Sequence, residues 1–375
     1  MSPSSLMNAS ATIAAVADTC IDCGKCVDEC AFLTASGTPG SIARCVDTAH
    51  KTLNAYQCSL CGLCAEVCPV DLNPRTMFLT LRQEAVRRGV GPLREHKRII
   101  SYERTGTSPL FSWYGLPEGC DTVFFPGCTL SGTRPALTNT LYEHLASHIP
   151  GLGIVLDCCS KPSHDLGCAR DFDDAFGDLR QWLVDNGVTT VLTACPSCHA
   201  MFSRYGEGLT PVTVYEILAA NPLPPEDAVS GTVTVHDPCV LRDHPSSQQA
   251  VRTLLERRGL DVEEMPHHGA KTLCCGEGGA VPLVAADMGK TWTTRRAKEA
   301  GGRTIVTFCA GCVNTLMRSA PTVHILDLVF WPQRTMLGYA RISRAPVTYL
   351  NRLGLKRRLR KTLTTQTSRR REKTP

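Results

Sequence analysis

Two cysteines stand side by side in the stretch LCCGEGGA, which covers residues 273–280. A disulfide between neighbours needs Cα atoms roughly 4.4–6.8 Å apart and a dihedral near 90°, which adjacent residues reach only with strain. In a strand the two side chains would point to opposite faces. On a glycine-rich turn both sulfurs can converge on one object, because glycine lets the backbone approach it closely. The pair therefore indicates a group bound through sulfur, with two unrelated buried thiols as the alternative.

Two further cysteine runs lie nearer the amino terminus. CIDCGKCVDEC covers residues 20–30 and CSLCGLCAEVCP covers 58–69, and both have the spacing C-x2-C-x2-C-x3-C. This spacing is typical of bacterial iron–sulfur sites, in which the fourth cysteine of each run binds the other cluster. It predicts two [4Fe-4S] clusters, one held by Cys20, Cys23, Cys26 and Cys68 and the other by Cys58, Cys61, Cys64 and Cys30.

Zinc is the alternative occupant of these runs, because CxxC pairs also bind zinc. Two identical four-cysteine runs favour iron–sulfur clusters. Ala31 stands where the first run would carry a proline, which weakens a local turn and removes no ligand. A helix is expected around residues 40–53, and Cys45 within it is interpreted as structural.

The cysteine usage fits a reducing environment. The chain has 375 residues and 21 cysteines, a length that suggests two or three domains. Disulfide frameworks are typical of short secreted chains. The first twenty residues contain no Lys or Arg to begin a secretion signal, and no apolar run has the length of a transmembrane helix. We therefore expect a cytoplasmic protein whose thiolates bind metal.

From residue 121 onward, short apolar strands alternate with amphipathic helices, and the same order occurs twice. This alternation argues for α/β units with a parallel sheet. The predicted fold is α/β, with a small helical two-cluster ferredoxin-type domain followed by two duplicated lobes. The expected divisions are a flexible N-terminus (1–17), the ferredoxin-type domain (18–105), the first lobe (118–225), the second lobe (230–332) and a basic tail (341–375).

Each predicted lobe carries the pattern C…CC…CxxC, and corresponding cysteines lie 111 to 116 positions apart. Open α/β sheets place ligands at the carboxyl ends of their strands, where we expect both sets. Five thiolates are one more than a cubane needs, so one sulfur could bridge two irons or leave a site open for substrate. The first cysteine set is Cys128, Cys158, Cys159, Cys195 and Cys198, and the second is Cys239, Cys274, Cys275, Cys309 and Cys312.

The order of two ferredoxin-type runs and two CCG motifs resembles the CCG-domain iron–sulfur oxidoreductases. The resemblance covers about residues 18–330. It extends to the heterodisulfide reductase subunit with this domain order, to the corresponding subunit of anaerobic glycerol-3-phosphate dehydrogenase and to the iron–sulfur subunit of glycolate oxidase. It implies two related Rossmann-like lobes that face each other across a pseudo-twofold axis and hold one or two further iron–sulfur clusters. In heterodisulfide reductases these are non-cubane [4Fe-4S] clusters, and the disulfide is split between them. The first motif here reads CCSKPSHD, without the glycine, so the occupant of the first set stays open.

Two side chains beside the second set are candidate catalytic residues. His236, in VHDPC, could supply a proton or donate a hydrogen bond to a sulfur, or be a satisfied histidine at a strand end. Glu277, in CCGEGG, could act as an acid or simply be exposed. His164 is a weaker candidate. The remaining thiols and histidines are expected to be buried thiols or parts of a solvated loop: Cys120, Cys168, His267 and His268.

The charge is unevenly distributed. The net charge is +5, while residues 341–375 contain twelve Lys and Arg against one Glu, which leaves the first 340 residues net acidic. A basic amphipathic helix can lie on an anionic membrane surface, and a frayed, solvated terminus is the alternative. The tail therefore adds the inner face of a membrane as a candidate location. Nucleic-acid binding is not expected, because no aromatic residue follows Tyr349 among the charges.

Two classes of function remain open. In the first, electrons pass from the two [4Fe-4S] clusters to a CCG site that reduces a disulfide or a similar acceptor. In the second, the chain is a non-catalytic conduit between a flavoprotein that oxidises a small hydroxy acid or polyol phosphate and a quinone pool. The glycines lack the Lys-Ser/Thr of a phosphate loop, and no dinucleotide motif follows a strand. A flavin or NAD site would then belong to a partner, so a flavoprotein or other redox subunit is expected. A zinc-stabilised interaction protein is a third option.

Overall fold

The N-terminal module, from Pro3 to Thr107, consists mainly of short helices, some of which begin at N-cap or proline residues. The computed structural model describes residues 3–45 and 53–372. Thr38 caps one helix by accepting a hydrogen bond from the Ser41 amide at 3.2 Å, and Pro39 and Pro74 occupy first helical positions. The helices are α1 Pro3–Thr19, α2 Lys25–Glu29, α3 Ala31–Ser36, α4 Pro39–Arg44, α5 Leu63–Glu66, α6 Pro74–Arg87 and α7 Lys97–Thr107, with 3₁₀ turns Ala55–Gln57 and Arg94–His96.

Helix α1 occupies the segment that was expected to be flexible. It packs against α4 and α6, and Val16 is only 3% exposed within a core that includes Phe32 and Phe78. Ile13, Val16 and Ala17 contact this core because they recur at helical spacing. The helix expected around 40–53 is α4, which ends at Arg44; Cys45 is exposed, and residues 46–52 lie outside the described residues.

The two α/β lobes contain sheets with the same internal strand order. In the first lobe the order is β10-β1-β3-β2-β4-β5, and in the second it is β7-β6-β8-β9. The parallel parts, β3-β2-β4-β5 and β7-β6-β8-β9, correspond strand for strand, as the duplication predicts. The strands are β1 Trp113–Leu116, β2 Thr122–Phe125, β3 Gly153–Leu156, β4 Thr190–Thr193, β5 Thr210–Thr213, β6 Gly231–His236, β7 Leu260–Val262, β8 Thr304–Thr307, β9 Thr322–His324 and β10 Thr367–Arg369.

Helices of both lobes meet in one apolar core. Leu141, Leu218, Leu254 and Val329 are each fully buried in it and come from four different helices. The helices are α8 Cys128–Thr133, α9 Pro135–Ala146, α10 Lys161–Asp165, α11 Ala169–Asp185, α12 Pro196–Tyr205, α13 Val214–Ala220, α14 Pro245–Glu256, α15 Ala286–Ala300, α16 Ala310–Leu316, α17 Ile325–Phe330, α18 Pro332–Met336 and α19 Val347–Thr362, with 3₁₀ turns Cys239–Leu241, Gly269–Lys271 and Gly278–Leu283.

The basic tail is part of the first lobe, so the interpretation of it as a frayed, solvated terminus is wrong. Helix α19 packs against α8 and α9, and β10 adds an antiparallel strand beside β1. Leu355 and Leu359 are buried in the shared core, so this part of the helix faces protein, whereas Val347 and Leu350 in its first turn are exposed. Burial of Leu355 or of Leu359 stabilises the fold by roughly 1.5–3 kcal/mol. Among the described helices, none is long and apolar enough to cross a bilayer.

Candidate functional site

The eight cysteines of the N-terminal module form two neighbouring groups. The pKa of Cys26 is raised to about 11, first by burial and then by the nearby thiols of Cys20, Cys23 and Cys68. The pKa of Cys64 is raised well above its usual value, first by burial and then by Cys58, Cys61, Cys30 and, last, Cys26. The structure therefore brings Cys68 to the first run and Cys30 to the second, as the crossed ligand sets require.

The two groups differ in their distance from solvent. Cys23 is exposed and Cys20, Cys26 and Cys68 are half-buried, whereas Cys58, Cys61 and Cys64 are buried. The first group thus lies at the protein surface, and the second lies between the module and the lobes.

The first cysteine set gathers at the carboxyl ends of three parallel strands. Cys128 follows β2, Cys158 and Cys159 follow β3, and Cys195 follows β4. The pKa of Cys159 is lowered to about 6 by hydrogen bonds from Cys158 and then Cys198, while burial opposes this shift. Cys128 hydrogen-bonds Cys158 and the hydroxyl of Tyr102. All five sulfurs therefore belong to one cluster of thiols.

The second cysteine set gathers in the same way, with one local difference. Cys239 follows β6 and Cys309 follows β8, but Cys274 and Cys275 come twelve and thirteen residues after β7, on a loop. Hydrogen bonds from Cys239 and Cys275 hold the pKa of Cys274 well below its usual value, and the Gly276 amide donates to its sulfur at 3.2 Å. Cys312 hydrogen-bonds Cys275 and Cys309.

One cavity of about 730 Å³ connects the two sets. All five thiols of the first set and four of the second line it, and Cys274 is the exception. Its size lies within the range of small-molecule sites. The lining also includes Leu60 and Tyr102 of the module, the side chains of Lys161 and Glu277, and Arg344 of the segment before α19.

Cys274 instead adjoins the second group of the N-terminal module. Burial and then the neighbouring thiols of Cys274 and Cys30 raise the pKa of Cys61 to about 12. Cys61, Cys274 and Trp292 pack in one apolar cluster, which Cys30 and Cys239 border. The second cysteine set therefore lies directly against the buried cysteines of the module.

The glycines of CCGEGG make this close approach feasible. A Cβ on Gly278 would lie 2.5 Å from the carbonyl oxygen of Ser59, and one on Gly279 would lie 2.6 Å from that of Cys58. Both distances are too short for any side chain. The first motif has Pro162 and Ser163 at the matching positions and packs against α7, where Glu103 accepts a hydrogen bond from the Ser163 amide at 2.9 Å. The first motif thus has no counterparts of Gly278 and Gly279 where its turn has a different neighbour, and Ser160 stands at the position of Gly276.

His236 is fully buried beside the second set. One ring nitrogen of His236 and the sulfurs of Cys275 and Cys312 all lie within 4.8 Å of one another. Burial, and next the Arg296 guanidinium, lower the pKa of His236 well below its usual value. The imidazole is therefore neutral, the form that binds metal.

Glu277 lines the cavity next to the same set. Its side chain is open to the solvent of the cavity. The protein that surrounds the cavity still desolvates the carboxyl group, and this desolvation and then Cys274 raise its pKa. This position is compatible with the predicted acid. His164 lies away from this cavity and hydrogen-bonds Asp165 at 2.9 Å and Tyr205 at 2.8 Å.

The expectations about isolated thiols and histidines had mixed outcomes. Cys120 and Cys168 are buried, as expected, and His268 is exposed. His267 is not in a solvated loop: its Nδ1 lies 2.6 Å from Glu299, and its Nε2 lies 3.3 Å from Glu29 of the N-terminal module.

Several site residues carried no local signal in the sequence. Arg242 donates from Nη2 to the carbonyl oxygens of Cys61 at 3.2 Å and Thr272 at 2.8 Å, which fixes the module against the second lobe. Arg82, Tyr102 and Arg296 also lie at the site. Arg82, Tyr102 and Arg296 lie on three different helices, away from the cysteine motifs. Their place at the site is therefore visible only in the tertiary structure.

The donor atoms fit iron–sulfur clusters. Soft thiolates favour such clusters, and cysteine is their usual ligand. The thiols of each group are buried against one another, and most of their pKa values are raised, so a bound cation is needed to keep them ionised together. Buried nitrogen atoms of His236 and Arg296 lack hydrogen-bond partners among the described residues, which fits an anionic centre beside them.

Comparison with known proteins agrees with this arrangement. The family model of a 4Fe-4S dicluster domain matches residues 16–72. The family model of a cysteine-rich domain, CCG, matches twice, at residues 122–203 and 233–317.

Curated relatives cover most of this chain. It is 29% identical over 335 residues to a subunit of the "Fumarate reductase (CoM/CoB)" of Methanothermobacter marburgensis, with 78% of this chain and 66% of that protein covered. It is 25% identical to a subunit of the "Dihydromethanophenazine:CoB--CoM heterodisulfide reductase" of Methanosarcina mazei, with 83% and 91% covered. The subunit of the same name from Methanosarcina barkeri is 24% identical, with 76% and 83% covered.

These similarities and the cysteine content give the chain multiple iron–sulfur clusters and an electron-transfer role within oxidoreductases. The protein belongs to the family of CCG-domain iron–sulfur proteins, which includes these heterodisulfide reductase subunits.

Proposed function

We propose that the protein uses electrons to reduce a disulfide, or a comparable acceptor, in the cavity between its two lobes. One observation carries this proposal: a single cavity of about 730 Å³ is lined by thiols of both cysteine sets. A substrate in it contacts both sets at once. The two relatives named as heterodisulfide reductase subunits support this class of acceptor.

The N-terminal thiols would hold two [4Fe-4S] clusters in the crossed arrangement described above. The lobe thiols would hold one or two more clusters, and the different surroundings of the first set leave its occupant open. Bound clusters of this kind supply single-electron transfer, with potentials set by charge, hydrogen bonds and exposure.

The exposure of the thiols gives a direction for electrons. The surface group around Cys23 is where electrons can arrive from outside, and the buried group around Cys61 adjoins the second cysteine set. A flavoprotein or other redox subunit would therefore dock near Cys23, where Ile21 exposes 61% of its surface. This partner would supply the reducing equivalents.

The cavity also contains groups suited to the acceptor half of the reaction. Reduction of a disulfide breaks one S–S bond, consumes two electrons and two protons, and forms two thiols. Glu277 lies in the cavity, where it can hold a proton near the second set. Lys161, which is paired with Asp165, and the exposed Arg344 give the lining positive groups that would orient an anionic acceptor.

An electron conduit to a quinone pool is the second candidate. It is favoured by the asymmetry of the two sets, because the second set packs against the cysteines of the N-terminal module, whereas the first contacts the module through Tyr102 of α7. A peripheral contact at the inner face of a membrane would then rest on the exposed basic side chains of α19, since its buried face packs against protein.

The two candidates can be separated with four single variants. Cys158→Ser and Cys159→Ser alter the first set, and Cys274→Ser and Cys275→Ser alter the second. Anaerobic turnover with reduced viologen and a disulfide acceptor is measured beside iron content and low-temperature spectra. Cys168→Ser, which removes a buried thiol outside both sets, is the control.

Equal loss of turnover at both sets is expected if a substrate is reduced between them. Loss only at the second set would favour the conduit. If all four variants keep wild-type iron content and spectra, these cysteines bind no cluster and the proposed function is wrong.

A further inference from the structure

Within the described part of the chain, His236 has two buried ring nitrogens without hydrogen-bond partners. The side chain is fully buried at the end of β6, and neither Nδ1 nor Nε2 has a hydrogen-bond partner among the described residues. Leaving a buried polar group unsatisfied destabilises a fold. By contrast, both ring nitrogens of His164, beside the first lobe's α11, have partners. Of these two histidines, His236 alone is buried without hydrogen bonds to its ring nitrogens.

The geometry around His236 matches that of a shared metal ion. Its nearest ligand atom and the sulfurs of Cys275 and Cys312 lie mutually within 4.8 Å. Atoms bound to one metal at about 2.0–2.3 Å in a tetrahedral arrangement lie roughly 3.3–3.8 Å apart. Three ligand atoms from a strand end, a loop and the first turn of α16 therefore lie close enough together to share one metal ion.

The first lobe has no equivalent group. Phe125 ends β2 and pairs with Thr193 on β4, just as His236 ends β6 and pairs with Thr307 on β8. Phe125 is fully buried, and its ring packs against Phe202 with centroids 5.2 Å apart. The corresponding position beside the first set is thus filled with hydrocarbon, which cannot bind metal.

A buried cation accompanies His236 on the same side. Arg296 is fully buried, and its Nε and Nη2 lack partners among the described residues, while its Nη1 donates to Glu299 at 2.6 Å. The guanidinium lies close enough to Cys275 and His236 to affect both. Unpaired donors on a buried cation fit a negatively charged thiolate–metal centre.

We propose that His236 supplies a nitrogen ligand to the metal held by Cys275 and Cys312, so that the second set binds its centre through sulfur and nitrogen and the first through sulfur alone. This inference rests on the proposed function only in requiring metal in the second set. It gives the two lobes chemically different centres despite their shared ancestry in sequence.

The test is nitrogen hyperfine spectroscopy on the full-length protein, purified anaerobically. Pulsed electron paramagnetic resonance of the second-set signal is recorded for protein with natural and with 15N-labelled histidine. A directly bound imidazole should give strong couplings at the 14N frequency in the natural sample. These couplings should move to the 15N frequency in the labelled sample. This measurement needs no variant, so a folding defect cannot obscure it.

Variants then identify the histidine. His236→Phe, which copies the first lobe, should remove the coupling while iron bound by the N-terminal module is unchanged. His236→Gln should remove it as well, and His164→Gln should keep it. If wild-type protein shows the second-set signal without histidine nitrogen coupling, or if His236→Phe keeps the coupling, the ligand assignment is wrong.

The proposed function also depends on metal in the second set, and absence of that metal has a different signature. In that case wild-type protein has no signal that depends on Cys275 and Cys312, and the iron content of a double Cys275→Ser, Cys312→Ser variant equals that of wild type. Iron that depends on these thiols, without nitrogen coupling, would overturn only the role of His236.

Discussion

Arg371, four residues from the end of the chain, lies with its Nε 2.6 Å from Oδ2 of Asp157, and both side chains are buried. Asp157 also accepts a hydrogen bond from the Cys158 amide at 2.7 Å and one from the Tyr114 hydroxyl. The tail therefore fixes the backbone that carries the paired cysteines of the first set.

Arg371→Met is expected to destabilise the first lobe by about 3–5 kcal/mol, because it leaves the buried Asp157 carboxylate without its cation. Denaturant unfolding would measure the loss. The exposed neighbour Arg370 is the matched control, and Arg370→Met should change stability by less than about 0.5 kcal/mol. Similar stability of the two variants would contradict the anchoring role of Arg371.

Gly278→Ala should weaken the contact between the second lobe and the N-terminal module. The added Cβ would lie 2.5 Å from the Ser59 carbonyl oxygen, so the backbone has to move. We expect a cost of about 1–3 kcal/mol and altered spectra of the neighbouring clusters, measured by denaturant unfolding and low-temperature spectroscopy.

Gly177→Ala is the control for that change. Gly177 lies within α11, and a Cβ there would have no heavy atom within 4 Å. Alanine should stabilise this helix by roughly 0.5–1 kcal/mol. Equal stability and spectra in both variants would show that the glycines of CCGEGG are not needed for the close approach.

Arg82 should be essential for holding the N-terminal module against the two lobes. It is fully buried and donates to the carbonyl oxygens of Asp165 at 2.7 Å and Gly279 at 3.0 Å, and also to Ala55 and Cys58. Lysine has a single ammonium and cannot satisfy these four acceptors. Arg82→Lys should cost several kcal/mol and reduce the iron bound by the Cys58 group, as measured by unfolding and iron analysis.

Arg87→Lys tests the same change on the same helix at an exposed position. Arg87 pairs with Glu84 at the surface, where ion pairs contribute about 0–1 kcal/mol. Wild-type iron content in Arg82→Lys would contradict the proposed role of Arg82.

The tail should respond differently to truncation and to neutralisation. Removal of residues 341–375 takes away α19 and β10 and should unfold the first lobe.

Replacement of the exposed Arg357, Arg358, Arg360 and Lys361 by Gln should leave the fold intact and abolish any salt-sensitive binding to anionic vesicles. Vesicle sedimentation would measure this. Binding that survives neutralisation would mean that the contact is not electrostatic.

Local sequence patterns determined the chemistry and the fold class. Cysteine spacing determines which thiols can share a cluster, because a short turn holds neighbouring sulfurs within reach of one centre. Strand and helix periodicity, repeated twice, determined the two parallel sheets, because periodicity follows from which faces are buried. The crossed groups of Cys68 and Cys30 were predictable for the same reason.

Only the tertiary structure decided which of two similar cysteine sets adjoins the cysteines of the N-terminal module. Residues 274–279 and 58–61 are about two hundred positions apart, and nothing in either segment specifies the other. The outcome depends on backbone contact at Ser59 and on buried arginines such as Arg242, whose partners are carbonyl oxygens that any residue could supply. For the same reason the sequence could not separate a membrane helix from α19. Its apolar positions fit lipid and protein equally, and only the tertiary structure shows that Leu355 and Leu359 pack into the shared core.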